Sequence, residues 1–170
     1  MRNSIILMGF MGSGKTSTGR QLSKLTGLPL LDTDQMIEKR AGKTISRIFK
    51  EEGEKAFRDL ETALLGELCA EDTAAVLSIG GGMPVREENR PLLKKLGTVI
   101  YLTASDDVLT ARLEGDTTRP LLAEGRLKEK IRSLKAARED IYLGLADFTV
   151  DTDHLDPAGA ARKIVSLASL

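Results

Sequence analysis

Short apolar runs alternate along this chain with stretches whose apolar residues recur at three- and four-residue steps. The runs predict strands and the stepped stretches predict helices. A first strand spans 5–8. A helix over 17–26 carries Leu22 and Leu25 and ends at Gly27, a glycine C-cap. A second strand, 28–31, runs into Asp32-Thr33-Asp34. Helical steps follow through Met36-Ile37 and Ile45-Ile48-Phe49 until Gly53 interrupts them. The next helix places Phe57, Leu60, Leu64 and Leu68 on one stripe. A third strand, 75–79, stops at Gly80-Gly81-Gly82. A helix over 87–96 leads to a fourth strand, 98–102, and a helix over 106–113. Residues 115–125 are polar and without period, which predicts an excursion over a site. A long helix over about 126–145, a fifth strand over 148–150 and a helix opened by Pro157 complete the chain.

Five strands joined by helices predict an α/β fold: a central, mostly parallel five-stranded sheet with helices on both faces. Ligands of such sheets sit at the carboxyl ends of the strands. The length of 170 residues fits one domain, 1–170, and 41% hydrophobic with 29% charged residues is ordinary for a globular protein. Lys+Arg and Asp+Glu balance at 25 each, so nothing favours nucleic acid or an anionic membrane as a partner. The single cysteine, Cys69, excludes an internal disulfide and a cysteine metal cluster, and reads as a small buried hydrophobe. No apolar run approaches ~18 residues, so no membrane span is expected. The first four residues lead straight into a strand with no signal pattern, and a cytoplasmic monomer is the expectation.

Candidate chemistry begins right after the first strand. Gly9-Phe10-Met11-Gly12-Ser13-Gly14-Lys15-Thr16 joins that strand to a helix and has the form of a P-loop. The backbone N–H groups of Gly12, Ser13, Gly14, Lys15, Thr16 and Ser17 make an anion nest at a helix N-terminus. Lys15 brings positive charge to the β- and γ-phosphates of ATP, and the Thr16 hydroxyl can take one position on Mg²⁺.

The other strand ends supply a second set. Of Asp32 and Asp34, one carboxylate can hold the metal's water shell near Thr16, and the other can orient an attacking hydroxyl or take its proton. Either could instead be a helix N-cap. The third strand ends in three glycines where many P-loop ATPases carry an acid. Backbone there can lie against a small ligand. On the long helix Leu127, Ile131, Leu134, Ile141 and Leu145 form a core stripe, and Arg138 interrupts it, so it needs a carboxylate or an anionic ligand. Arg58 and Glu61 could be a surface ion pair worth well under ~1 kcal/mol. Alternatively Arg58 and Arg138 form a clamp on a carboxylate. Arg119, in the polar excursion, is either a solvated loop charge or a group that closes over the triphosphate. His154 reads as a surface loop residue.

These motifs in this order resemble the shikimate kinase family nearly end to end. The carrying features are the P-loop at 9–16, Asp32-Thr33-Asp34, Phe57-Arg58-Asp59-Leu60-Glu61, the glycines at 80–82, Arg119-Pro120-Leu121-Leu122, and Arg138 four residues before Tyr142. The resemblance implies a P-loop kinase fold with a mobile lid near 113–124 and a substrate-binding segment over about 33–60. It implies ATP-dependent phosphorylation of the 3-hydroxyl of shikimate, with Mg²⁺, in the pathway to chorismate and the aromatic amino acids. By position, Asp34 would bind the ring hydroxyls and act as the base or orienting group. Arg58 with its neighbour Glu61, Arg138 and the glycines Gly80, Gly81 and Gly82 would hold shikimate. Lys15 and Arg119 would serve the phosphates, Thr16 and Asp32 the metal, and Arg112 with the turn at 153–157 the adenine. Two positions depart from relatives: Gly144 where an acid is frequent, and His154-Leu155 in the adenine turn.

A gluconate kinase would share the P-loop but needs no two-arginine carboxylate clamp. A GTPase should carry Asn-Lys-x-Asp, which is absent, and the one Asp-x-x-Gly match, Asp156 to Gly159, opens the last helix. A regulatory nucleotide binder would leave Asp34, Arg58 and Arg138 unexplained.

Overall fold

The apolar run at the start of the chain becomes β1 (Ser4–Met8), the middle strand of a five-stranded sheet. In this computed structural model, which describes residues 4–71, 73–114 and 126–169, the elements follow in order. They are α1 (Lys15–Thr26), β2 (Leu30–Asp32), α2 (Thr33–Ala41), α3 (Ile45–Ala70), β3 (Val76–Ser78), a 3₁₀ turn (Met83–Val85) and α4 (Asn89–Leu96). Then come β4 (Gly97–Thr103), α5 (Asp106–Leu113), α6 (Leu127–Leu145), β5 (Phe148–Asp151) and α7 (Pro157–Ala168). The strand order is β2-β3-β1-β4-β5 and every pairing is parallel. Among the described residues no helix is long and apolar enough to cross a membrane.

Alternation along β1 sends Ile5 and Leu7 to one face and Ile6 and Met8 to the other. Helices cover both faces, so every residue of β1 is buried and the strand reads as a continuous apolar run. Leu22 of α1 with Ala161 and Ile164 of α7 fills one side. Phe57, Leu64, Leu65 and Leu68 of α3, with Leu93 and Leu96 of α4 and Tyr142 and Leu145 of α6, fill the other. A third cluster, Phe10, Ala104, Leu109, Leu113 and Ile131, joins the P-loop to α5 and α6. Each large apolar side chain fully buried in these layers contributes roughly 1.5–3 kcal/mol.

Local chemistry sets the helix ends. Gly27 closes α1 with a φ of 75° and donates its N–H to the Ser23 carbonyl. The Asp156 carboxylate accepts from the Gly159 N–H and Pro157 takes the first turn of α7, so the Asp-x-x-Gly match is a helix cap. Gly53 interrupts α3 with φ 86° and ψ 168°, and helical backbone resumes beyond it.

Three stripe positions differ from expectation. Leu25 and Leu60 are exposed, and Glu61 takes the inward place next to Leu60. On α6 the buried positions are Ile131, Arg138, Tyr142 and Leu145, so the stripe passes through Tyr142, with Ile141 at its margin. The second strand also starts two residues later and ends one residue later than predicted, which brings Asp32 into it.

Gly97 opens β4 opposite Ser4 of β1 in the parallel register. A Cβ at Gly97 would fall on the Ser4 carbonyl oxygen, an atom of the sheet backbone that has no room to give. Gly97→Ala should therefore lower stability by about 1–3 kcal/mol, read as a lower urea midpoint at unchanged m-value. An unchanged midpoint would show that β4 can shift along β1 at no cost.

Candidate active site

The P-loop leaves the carboxyl end of β1, the strand flanked by β3 on one side and β4 on the other. Gly12 and Gly14 take φ of 81° and 90°, which turns the loop back over the start of α1. The Lys15 ammonium donates to the carbonyls of Gly9 and Phe10, each at 3.0 Å. Ser13 is buried beneath the loop, whereas Gly12, Gly14, Lys15, Thr16 and Ser17 line a cleft of about 500 Å³.

The two aspartates divide their work. Asp32 is the N-cap of α2: its Oδ1 accepts from the N–H groups of Asp34 at 3.1 Å and Gln35 at 3.4 Å. Its Oδ2 accepts from the Thr16 hydroxyl at 2.8 Å, and the Ser78 hydroxyl lies 3.3 Å from Thr16. Thus one carboxylate is both the cap and the neighbour of the P-loop threonine, while Asp34 faces the cleft farther along. The oxygens of Thr16, Asp32 and Ser78 form a hard donor set with a single carboxylate. Among the described residues there is no cluster of three or more acidic, histidine or cysteine ligands. That set fits a cation such as Mg²⁺, which keeps several waters and takes phosphate oxygens.

The triple glycine brings the halves of the cleft together. Thr33, fully buried, accepts from the Gly80 N–H at 3.0 Å, fixing the turn to the start of α2. A methyl group on Gly80 would lie 2.8 Å from both Asp34 Oδ1 and Glu61 Oε1. On Gly81 it would lie 3.2 Å from the Gly9 carbonyl and 3.6 Å from Arg138 Nη1, and on Gly82 it would collide with the Arg58 guanidinium. Each glycine is therefore pressed against a charged group or the P-loop backbone.

Arg58 and Glu61 are not a surface pair. Glu61 is fully buried and accepts from Arg58 Nη1 at 2.8 Å, and Arg58 also donates to Glu54 at 3.1 Å. Burial pushes the Glu61 carboxyl up to about 7, against the charge and hydrogen bond of Arg58 and with the help of the Asp34 charge. Arg138 is buried on α6, lines the same cleft as Arg58, and stands over the Phe10 ring with its guanidinium carbon 6.0 Å from the centroid. Arg112 lies apart from this cleft. It donates to the carbonyls of Gly12 at 3.0 Å and Thr152 at 3.2 Å. Arg119 and almost all of the lid span 113–124 lie outside the described residues.

Sequence reasoning assigned no contact to Thr33, Ser78 or Tyr142, whose partners are distant in sequence and leave no local pattern. The hydroxyl of Tyr142, four residues after Arg138, donates to the Gly81 carbonyl.

One cleft therefore joins a phosphate nest, an oxygen set for a hard cation, a carboxylate and two arginines over a glycine floor. A family model described as shikimate kinase matches residues 11–169. A shikimate kinase of Coxiella burnetii is 43% identical over 164 residues, covering 95% of this chain and 91% of that protein. One of Thermodesulfovibrio yellowstonii is 42% identical over 165 residues, covering 97% and 94%. A shikimate kinase from Acinetobacter baumannii, solved in complex with shikimate, superposes with a TM-score of 0.94 at 39% identity, covering 98% of this chain and 93% of that one. A gluconokinase from Sinorhizobium meliloti, at 16% identity and a TM-score of 0.59, shares the fold alone. With the family's pattern matched along nearly its whole length and close relatives in sequence and in structure, this chain belongs to the shikimate kinase family.

Proposed function

We propose that this enzyme transfers the γ-phosphoryl group of ATP to the 3-hydroxyl of shikimate, giving shikimate 3-phosphate and ADP on the route to chorismate and the aromatic amino acids. Family membership supports the reaction. The observation that carries the substrate is the pairing of Arg58 and Arg138 with a backbone floor in the cleft that also holds the P-loop. Two arginines on one side of such a cleft suit a small carboxylic acid.

In this reading the nest at 12–17 binds the β- and γ-phosphates, and Lys15 exchanges the carbonyls of Gly9 and Phe10 for phosphate oxygens. Thr16 and Asp32 would hold Mg²⁺, which neutralises charge on the phosphates when bound. Asp34 orients the 3-hydroxyl and receives its proton as the O–P bond forms and the bond from Pγ to the ADP oxygen breaks. Arg58 and Arg138 take the carboxylate, Glu61 steadies Arg58, and the glycines at 80–82 bring N–H groups close to the ring. Arg119 is assigned to the phosphates from its Arg-Pro-Leu-Leu motif alone, with 113–124 as the lid and 33–60 as the substrate segment. The adenine side falls to Arg112 and the turn at 153–157. We further propose that the protein acts as a single catalytic unit, monomeric and cytoplasmic.

An ADP-release assay with shikimate, its methyl ester and gluconate tests the assignment. Turnover should be rapid with shikimate, poor with the ester and absent with gluconate. Phosphorylation of gluconate but not shikimate would overturn it, and normal kinetics with the ester would remove the arginine clamp.

Asp34→Asn should lower kcat by roughly 10²- to 10⁴-fold while calorimetry finds ADP affinity unchanged. An unaltered kcat takes Asp34 out of the phosphoryl-transfer step.

Glu61 gives a pH signature to folding. Its carboxyl lies near 7 in the fold against an ordinary 4.5, so the folded state holds more protons between those values. The resulting stability is fully present below pH 4.5 and is lost as pH rises through 7. Comparing urea midpoints near pH 5 and pH 8, wild type should lose on the order of 2 kcal/mol relative to Glu61→Gln. No relative change over that window would show that Arg58 keeps Glu61 ionised throughout.

A further inference from the structure

Tyr142 is wholly buried on α6, yet no step of the proposed reaction uses it. Its ring packs against Tyr101 of β4, with centroids 5.2 Å apart at 55°, so the sheet fixes the ring's position. Its hydroxyl donates to the Gly81 carbonyl, and a Cβ on Gly81 would meet both that hydroxyl, at 3.4 Å, and Arg138 Nη1, at 3.6 Å. Burial raises the titration of this hydroxyl against the pull of the Arg138 charge, so it stays a donor at working pH.

The turn that receives this hydrogen bond could take two forms. Gly80 to Met83 is a four-residue turn closed by the Met83 N–H on the Gly80 carbonyl at 3.0 Å. Gly82, its third residue, has φ −86° and ψ −14°, the geometry of a type I turn. Glycine at that position equally permits type II, which differs by a flip of the central peptide. The flip would reverse the Gly81 carbonyl and the Gly82 N–H together, because they belong to one planar trans unit. In the observed form the carbonyl points to Tyr142, which lies outside the cleft lining, and the Gly82 N–H points the other way. Gly81 and Gly82 both line the cleft.

We propose that Tyr142 is a positioning residue for substrate recognition: by holding the Gly81 carbonyl it locks the triple-glycine turn in the form that presents an N–H, and not a carbonyl oxygen, to the carboxylic acid bound by Arg58 and Arg138. A carbonyl turned into the cleft would repel that anion. Arg138 flanks the same turn beside Gly81, so floor and clamp lie together. This inference rests on the proposed shikimate kinase activity.

Tyr142→Phe keeps the ring and removes only the hydroxyl. It should raise KM for shikimate by about tenfold and leave KM for ATP within about twofold. A purely structural role would lower Tm and leave the ratio of the two KM values unchanged, and that result overturns the proposal. If the variant does not fold, judged by loss of ADP binding, wild-type protein with ¹³C,¹⁵N-glycine decides. It should show one Gly82 amide signal that shifts on adding shikimate, and a signal indifferent to saturating shikimate, or two signals in slow exchange, overturns the lock. Wild type inactive on shikimate would sink the activity itself; active wild type with an unshifted variant would sink only the role of Tyr142.

Discussion

The structure depends on one close approach: backbone without side chains at 80–82, wedged between the P-loop and the buried charges of α3 and α6. The P-loop comes from β1 and the glycines from β3, strands held side by side in register from Ile5 and Val76 onward. Their carboxyl ends therefore emerge together. Any side chain at Gly80 or Gly82 would displace Asp34, Glu61 or Arg58. The P-loop side and the arginine side of the cleft are continuous because nothing bulkier than a Cα stands between them.

Burying charge on that scale has a physical cost that sets the design. Exposed pairs such as Lys55–Asp59 and Arg47–Glu51 contribute little, typically well under ~1 kcal/mol. The Arg58–Glu61 pair differs, because removing either partner would leave an uncompensated charge in the core. A carboxyl that holds its proton up to about 7 relieves that imbalance on one side, and in the proposed reading a bound anion relieves it at the arginine. In that reading an anionic substrate is part of the charge balance of the site, which ties recognition to the electrostatics of the fold.

The arms of the site are steadied by different means. Arg138 rides on a helix whose inner face is anchored by Ile131, Tyr142 and Leu145. Arg58 follows the break at Gly53, and the segment before it is held by the Glu38 carboxylate on the Ile45 N–H at 2.9 Å, the Thr44 cap and Ile48 in the core.

The sequence by itself determined the sheet, the helix order, the P-loop and the family, because each is written in local signals: an apolar run buried on both faces, glycines at turns, caps at helix ends. It also marked Asp34, Arg58, Arg138 and the glycines as a set. Only the tertiary structure decided which positions face inward where polarity and periodicity disagree. Leu60 looks like core and Glu61 like surface, yet the pair is reversed, because Arg58 supplies the partner that makes a buried carboxyl tolerable. Ile141 and Tyr142 repeat the lesson on α6, where the Gly81 carbonyl, distant in sequence, satisfies the buried hydroxyl. Asp32 caps α2 by local contacts, but it reaches Thr16 only when β2 lies beside β3 and the P-loop helix comes within range. Burial of polar groups depends on partners, and partners far apart along the chain are chosen by the fold.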